Sequence, residues 1–322
     1  MAVYTPVSRD ELEGLLAGYG LGAVRRFEGI EEGIENSNFY LETETGRFIL
    51  TLFERRVREA ELPYFLELMG WLADRGFPAP LPQADRQGRT LQKLAGKPAA
   101  IVSFLEGAAE RDPEPACCRE GGEGLARLHL AGEGFPGRRE NDLGYAAWPG
   151  MLAGREPEAE ALQPGLAGLI RNDLDLLSRR WPTGLPEGVI HADLFPDNVF
   201  FLDGCFAGAI DFYFACNDAL AYDLAVMLNA WCFRPDHRFD PHRARALVDG
   251  YRQARPLSAA ELRALPVLAH GAAMRFFLTR LIDWTSTPQG ALVKPKTPLE
   301  YAAKLAFHRE AAGDLDAYGL AA

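Results

Sequence analysis

Cationic charge is scarce in this chain: its 322 residues carry a formal net charge of −11, and no lysine precedes Lys93. A protein that binds nucleic acid needs a basic face for the phosphate backbone, so this deficit argues against that class of main partner. An anionic substrate would have to be met by a few locally placed cations or by a metal. Cysteine is equally thin. Cys117, Cys118, Cys205, Cys216 and Cys232 form an odd, scattered set with neither disulfide-framework nor zinc-ligand spacing. They read as reduced thiols. The opening MAVYTPVSRDELEG has acidic residues where a signal peptide carries a basic and then an apolar region, and no later apolar run is expected to reach spanning length. The expectation is a cytoplasmic protein with neither a membrane nor a nucleic acid as partner. Repeats and low-complexity tracts are also lacking. At this length one core usually stops growing, which predicts a two-lobed molecule with a cleft.

Local patterns divide the chain. Ser8 with Glu11 three residues on predicts a capping box opening a short helix that Gly18 and Gly20 close. Alternation then predicts antiparallel strands over residues 24–30, 37–43 and 47–53, with Glu44-Thr45-Gly46 as the tight turn. Pro63 suits the first turn of a helix whose apolar positions are Phe65, Leu66, Met69 and Leu72, and Pro78, Pro80 and Pro82 force an extended segment after it. Strands follow at 90–94 and 99–105. The polar stretch 106–115 is the predicted boundary between an N-lobe of residues 1–106 and a C-lobe of residues 107–322. The C-lobe reads as helices at 117–130, 166–181, 218–233, 242–253, 258–284 and 298–313. An irregular stretch lies between the first two, and a strand, loop and hairpin interrupt at 189–210.

That interruption carries the chemistry. In HADLFPDNVFFLDGCFAGAIDF, residues 191–212, the side chains of His191, Asp193, Asn198 and Asp211 break otherwise apolar strands. Phosphoryl transfer asks a protein for a carboxylate to accept the hydroxyl proton and for oxygen ligands that hold Mg²⁺ against the phosphates. Asp193, Asn198 and Asp211 are the right residue types. Singly, each reads as a loop former or strand cap; the combination H-x-D-x-x-x-x-N, hairpin, apolar run and Asp-Phe is far more specific.

This pattern resembles the catalytic loop and metal motif of the aminoglycoside-phosphotransferase and choline-kinase superfamily. The resemblance implies an α+β, bilobal, protein-kinase-like fold with an antiparallel-sheet N-lobe and a mainly helical C-lobe, acting on ATP with Mg²⁺. It makes Asp193 the catalytic base, Asn198 and Asp211 metal ligands, His191 a residue that orders the loop, and Asp223 of NDALAYDLA the helix-borne acid that supports it. In GIEEGIENSN, residues 29–38, it places the phosphate-covering loop, with Gly33, Ser37 and Asn38 toward the nucleotide. In AAIVSFLEG, residues 99–107, it places the adenine hinge at Ser103 to Leu105. The superfamily usually carries a Lys on the third strand. Here that position is Thr51, an expected nucleotide contact, leaving Arg55, Arg56 or a backbone amide to take the missing role, or the metal to hold the nucleotide chiefly, with Glu67 as the helix acid that would pair there.

The likeness narrows over residues 33–54, over 62–82 ending GFPAPLP, and in RFFLTRLIDW at 275–284, where the chain resembles the homoserine kinases of this superfamily; these also tend to lack the third-strand Lys. The implied reaction is ATP plus L-homoserine to ADP plus O-phospho-L-homoserine, a step of threonine biosynthesis. A zwitterionic acceptor calls for an Arg at its carboxylate and an acceptor group at its ammonium. Arg275 and Arg280 are the candidates for the first, and Asp218, Asn229 and Asp283 for the second. Ordinary interhelical ion pairing is the competing account of these residues. Two alternatives stand beside this reading. One is a sibling kinase for choline, methylthioribose or an aminoglycoside, with Trp231, Phe233 and Trp284 available as a choline cage. The other is a nucleotide-sensing binding module without strong catalysis.

Overall fold

The structure, a computed structural model, describes residues 4–30, 36–54, 57–287 and 295–321. The chain separates into two compact units, Met1–Glu106 with Phe135–Gly137, and Gly107–Gly134 with Arg138–Ala322.

In the first unit the side chain of Ser8 accepts from the Glu11 amide and Glu11 reaches back to the Ser8 amide, the reciprocal cap that starts α1 (Arg9–Leu16). The strands β1 (Val24–Gly29), β2 (Asn36–Thr43) and β3 (Arg47–Phe53) follow, then α2 (Leu62–Asp74), β4 (Gln92–Leu94) and β5 (Lys97–Ser103). They form one antiparallel sheet in the order β1-β2-β3-β5-β4. Strand alternation puts Phe39, Leu41, Leu50, Leu52, Ala99 and Ile101 on one face, where Leu12, Leu16 and Tyr19 close the core. The extended Pro80–Pro82 segment is stapled to β5: Leu81 N–H donates to Ser103 Oγ (2.8 Å), and Ser103 N–H donates to the Leu81 carbonyl (2.9 Å).

The second unit runs through β6 (Ala108–Ala109), α3 (Pro115–Ala131), α4 (Trp148–Leu152), α5 (Glu156–Leu162) and α6 (Leu166–Arg180) to β7 (Glu187–Ile190), β8 (Val199–Leu202), β9 (Cys205–Ala209) and β10 (Cys216–Ala219). The helices α7 (Leu220–Trp231), α8 (Pro241–Ala254), α9 (Ala259–Ser286) and α10 (Leu299–Ala311) complete it. Asp203 and Gly204, both at positive φ, make the tight turn that joins β8 to β9. Helices α3 and α8 meet backbone to backbone. A Cβ on Gly122 would lie 2.0 Å from the Leu247 carbonyl oxygen, and one on Gly250 would lie 2.0 Å from that of Arg119.

Three expectations change. The stretch between α3 and α6 contains two short helices, α4 and α5, anchored by fully buried Trp148 and Ala159. Asp218 does not start a helix but lies in β10, which pairs with β7, because Asn217 exchanges backbone and side-chain hydrogen bonds with Arg139 and holds the segment extended. Finally, α9 is long and apolar enough to cross a bilayer by length and composition, contrary to the expectation drawn from the sequence. Of its apolar window, 83% is buried inside the protein, as befits a central core helix.

Candidate active site

The loop after β7 is held from below by one carboxylate. Asp223, fully buried in the first turn of α7, accepts the His191 amide on Oδ2 (2.7 Å) and the Ala192 amide on Oδ1 (2.8 Å). Two successive amides face one carboxylate because Ala192 sits at φ 63°, a left-handed conformation that costs a non-glycine residue about 1–2 kcal/mol. Burial alone would push the Asp223 carboxyl up, but the hydrogen bond from His129 and the His191 amide bring it below its ordinary value, so it is an anion in the folded state.

His191 orders the loop from within. Its Nε2 lies 2.9 Å from the Ile210 carbonyl oxygen and so carries the proton; Nδ1 then accepts the Asp193 amide at 3.3 Å. Burial holds the ring below its usual pKa, consistent with a neutral imidazole. Asn198 donates through Nδ2 to the Asp193 carbonyl (2.8 Å), which leaves its amide oxygen for a cation. The Ile210 amide donates to the Asn198 carbonyl (2.9 Å), so Asp211, at φ 64° and ψ 58°, leaves β9 beside Asn198. A carboxylate and an amide oxygen are hard donors that suit Mg²⁺ or Ca²⁺ and not a thiophilic metal. The donor set therefore fits a hard divalent ion.

Two residues at this loop had no assigned part in ordering it. Trp231 is fully buried and donates Nε1–H to the Leu194 carbonyl (2.8 Å), an interaction between residues far apart in sequence that no local motif announces. His129 of α3 reaches Asp223 at 3.2 Å, and only the LARLHL helix pattern hinted that it faces inward.

Of the acceptor candidates, Arg275 is at the loop. Its guanidinium donates to the Ala192 carbonyl, lies 3.7 Å from Asp193 Oδ1 and stacks over Phe276 and Phe214. Among the described residues its buried Nε has no hydrogen-bond partner. Arg280 is instead engaged by Glu300 (2.5 Å), which also pairs with Lys304 (2.8 Å). Asn229 is fully buried, with Nδ2 donating to the Ala225 and Ala269 carbonyls and Oδ1 beside His308 Nε2; its place is the helical core, not a ligand pocket. Asp218 is half-buried and accepts from Asn141 Nδ2 (2.7 Å) and its neighbour's amide. Asp283 is half-buried near the end of α9. The choline cage does not assemble: Trp231 is buried under the loop, Phe233 packs on Phe239 and Phe307, and Trp284 is exposed.

In the first unit, Thr51 Oγ1 donates to Asn38 Oδ1 (2.8 Å), joining two expected nucleotide contacts across β2 and β3. Ser37 is separated from them by strand alternation. It sits on the α1 face, where its hydroxyl donates to Glu54 (2.6 Å) and accepts the Tyr4 and Thr5 amides, and where Lys97 pairs with Glu54 (3.0 Å). Glu67 is exposed on α2. Ser103 is half-buried, with its amide and hydroxyl both used by Leu81, while Leu105 is half-buried just beyond the sheet. Gly33, Arg55 and Arg56 lie outside the described residues.

A buried carboxylate holds a loop that carries Asp193 and Asn198, with Asp211 beside it, on a frame of antiparallel sheet and helices, the arrangement of a small-molecule phosphotransferase. The chain belongs to the phosphotransferase enzyme family APH, whose profile matches residues 26–257. It is 63% identical to the homoserine kinase of Phenylobacterium zucineum over 322 residues, 100% of this chain and 99% of that protein. It is 55% identical to the homoserine kinase of Methylobacterium radiotolerans, covering 97% of each. Its fold is similar to that of a microcompartment-associated aminopropanol kinase (TM-score 0.69, 19% identity, 98% and 99% covered). It is also similar to a spectinomycin phosphotransferase solved with ADP and spectinomycin (TM-score 0.67, 13% identity, 97% and 99% covered).

Proposed function

We propose that this enzyme transfers the γ-phosphoryl group of ATP to the hydroxyl of L-homoserine, giving ADP and O-phospho-L-homoserine, as a cytoplasmic step of threonine biosynthesis. The observation that carries the chemistry is the joint placement of Asp193, Asn198 and Asp211 by one anchored loop and its hairpin. The acceptor rests on the homoserine kinases that match the chain from end to end.

In this reading Asp193 orients the acceptor hydroxyl and takes its proton as the new P–O bond forms and the bond to ADP breaks. Asn198 and Asp211 hold Mg²⁺, which supplies charge neutralisation at the phosphates when bound. Asn38 and Thr51, with the loop containing Gly33 and the hinge from Ser103 to Leu105, serve the nucleotide in an N-lobe of residues 1–106. The rest of the chain carries the reaction. Arg275 is the preferred partner for the acceptor carboxylate, because it flanks the base and keeps one donor unused, whereas Arg280 is occupied by Glu300. Asp218 is the preferred partner for the ammonium.

A coupled ADP-release assay across homoserine, choline, methylthioribose and kanamycin tests the acceptor. Homoserine should exceed the others in kcat/KM by orders of magnitude, and a higher value for another acceptor would refute the assignment. Arg275→Met should raise the homoserine KM at least tenfold and also lower kcat, since Arg275 holds the Ala192 carbonyl, with ATP KM little changed.

A further inference from the structure

Behind the loop, four helices send side chains to one point. His129 of α3 is buried with its Nε2 3.2 Å from Asp223 Oδ2, and its Nδ1 is 2.7 Å from the hydroxyl of Tyr251 on α8. That hydroxyl lies 3.1 Å from Arg255 NH1, and the same guanidinium nitrogen donates to Glu261 of α9 at 2.8 Å. Tyr251 and Asp223 are fully buried and His129 is 3% exposed, so water does not compete at the two bonds of His129, while Arg255 at the outer end is only partly buried.

The direction of the bond to Asp223 follows from chemistry. The carboxylate of Asp223 only accepts, so His129 Nε2 carries a proton and donates. On the other side of the ring Nδ1 is paired with the Tyr251 hydroxyl. The Tyr251 oxygen accepts from Arg255, which has only donors to offer. Arg255, Tyr251, His129 and Asp223 are thus linked in series, with Arg255 donating at one end and His129 donating to the carboxylate at the other, and Glu261 keeps Arg255 in place. Such a chain polarises its members in a low-dielectric interior. The α3–α8 crossing that brings His129 and Tyr251 together is the one that Gly122 and Gly250 permit at backbone contact.

We propose that His129 is a positioning residue of the phosphoryl-transfer site: braced by Tyr251 and Arg255 and donating to Asp223, it fixes that carboxylate and thereby the loop that presents Asp193. The inference rests on the reading of Asp193 as base. A positioning residue acts on turnover and leaves substrate binding alone, which separates it from a residue that only supports the fold. In a related setting, partners that orient a functional ligand from behind change activity about 10- to 100-fold.

The test compares His129→Leu, which fills the space without a donor, with His129→Gln, whose amide nitrogen can reoccupy the Nε2 position. Each is measured for kcat, both KM values and urea stability, alongside Asp193→Asn. His129→Leu should lose at least tenfold in kcat with both KM values within twofold, and His129→Gln should recover to within about threefold of wild type. Equal kcat in the Leu and Gln variants, or a wild-type kcat in His129→Leu, would overturn the proposal. If His129→Leu does not fold, Tyr251→Phe removes the hydroxyl alone. It should lower kcat severalfold at unchanged KM values, and a wild-type kcat there would overturn the proposal as well. Substantial activity in Asp193→Asn would instead show that the base is misassigned, whatever the His129 series gives.

Discussion

The two units hold their polar groups in different ways. In the second unit, the His191 and Ala192 amides end on one carboxylate, the carbonyls of Ala192 and Leu194 are taken by Arg275 and Trp231 from distant helices, and that of Asp193 by Asn198 of the same loop. In the first unit, the polar pairs are short and local to the sheet: Thr51 with Asn38, and Ser37 with Glu54 and Lys97. The lesson concerns what each part must do. A base that acts on a proton must stay where it is, so its backbone is over-determined. In the proposed reading the sheet face that takes the nucleotide works with fewer fixed contacts.

The sharpest way to break this contrast is at Asp193. Asp193→Asn should cut kcat by on the order of 10²–10⁴ while nucleotide affinity stays nearly intact, because the lost carboxylate acts on the acceptor proton. More than about a third of wild-type kcat would remove Asp193 from the role. Asp211→Ala should next raise the Mg²⁺ concentration needed for half-maximal activity at least tenfold, with Asn198→Ala milder because no charge is lost. A Mg²⁺ titration that leaves the requirement of Asp211→Ala unchanged would refute the ligand assignment.

Why the strands and hairpin around residues 191–212 were legible in sequence while other parts were not follows from where the information lies. His191, Asp193, Asn198 and Asp211 are close in the chain, and the strand and hairpin that carry them are short-range structures. The sheet strands and the capping box at Ser8 were equally local. The role of Ser37 depended on strand parity: one residue's step moved it to the face opposite Asn38. Asn229 and Arg280 read as pocket candidates because polar groups on apolar helices invite that reading; the structure pairs Asn229 with the Ala225 and Ala269 carbonyls and His308, and Arg280 with Glu300 of α10. His129 and Trp231 act across 94 and 37 residues of chain, beyond the reach of any local pattern.

A smaller effect tests whether charges in the second unit are held as firmly away from the loop. Burial would raise the Glu300 carboxyl, but Lys304 and Arg280 bring it down to about 2 from an ordinary 4.5. A depressed acid stabilises the fold fully above about pH 4.5, and that contribution is lost as the pH falls toward about 2. Lys304 is itself held below its usual value by burial that Glu300 only partly offsets, but it stays charged throughout the acid range, so the acid slope belongs to Glu300. Allowing for its partial exposure, Glu300→Gln should cost about 2 kcal/mol in urea unfolding near pH 6 and little near pH 2. A pH-independent difference would refute the pairing. In the first unit, Ser37→Ala should cost about 1–2 kcal/mol by stranding Glu54 and two amides, with ATP KM unchanged, whereas Thr51→Ala should raise ATP KM severalfold. Equal effects on ATP KM would erase the assignment of the two sheet faces.

The smallest expected effect bears most directly on over-determination. Ala192 is the one residue of the loop whose backbone pays for the shared carboxylate, with its Cβ held at φ 63°. Replacing it by glycine removes a strain of about 1–2 kcal/mol but adds unfolded-state freedom worth about 0.4–1 kcal/mol, and one buried methyl is lost. These nearly cancel, so Ala192→Gly should change stability by less than about 1 kcal/mol. Turnover decides what fixes the loop. If the bonds to Asp223 and Arg275 set its geometry, the freed backbone stays where it is and kcat remains within about threefold of wild type. If the stiffness of residue 192 sets it, kcat falls tenfold or more at unchanged stability, and the loop would then be no better fixed than the sheet it is compared with.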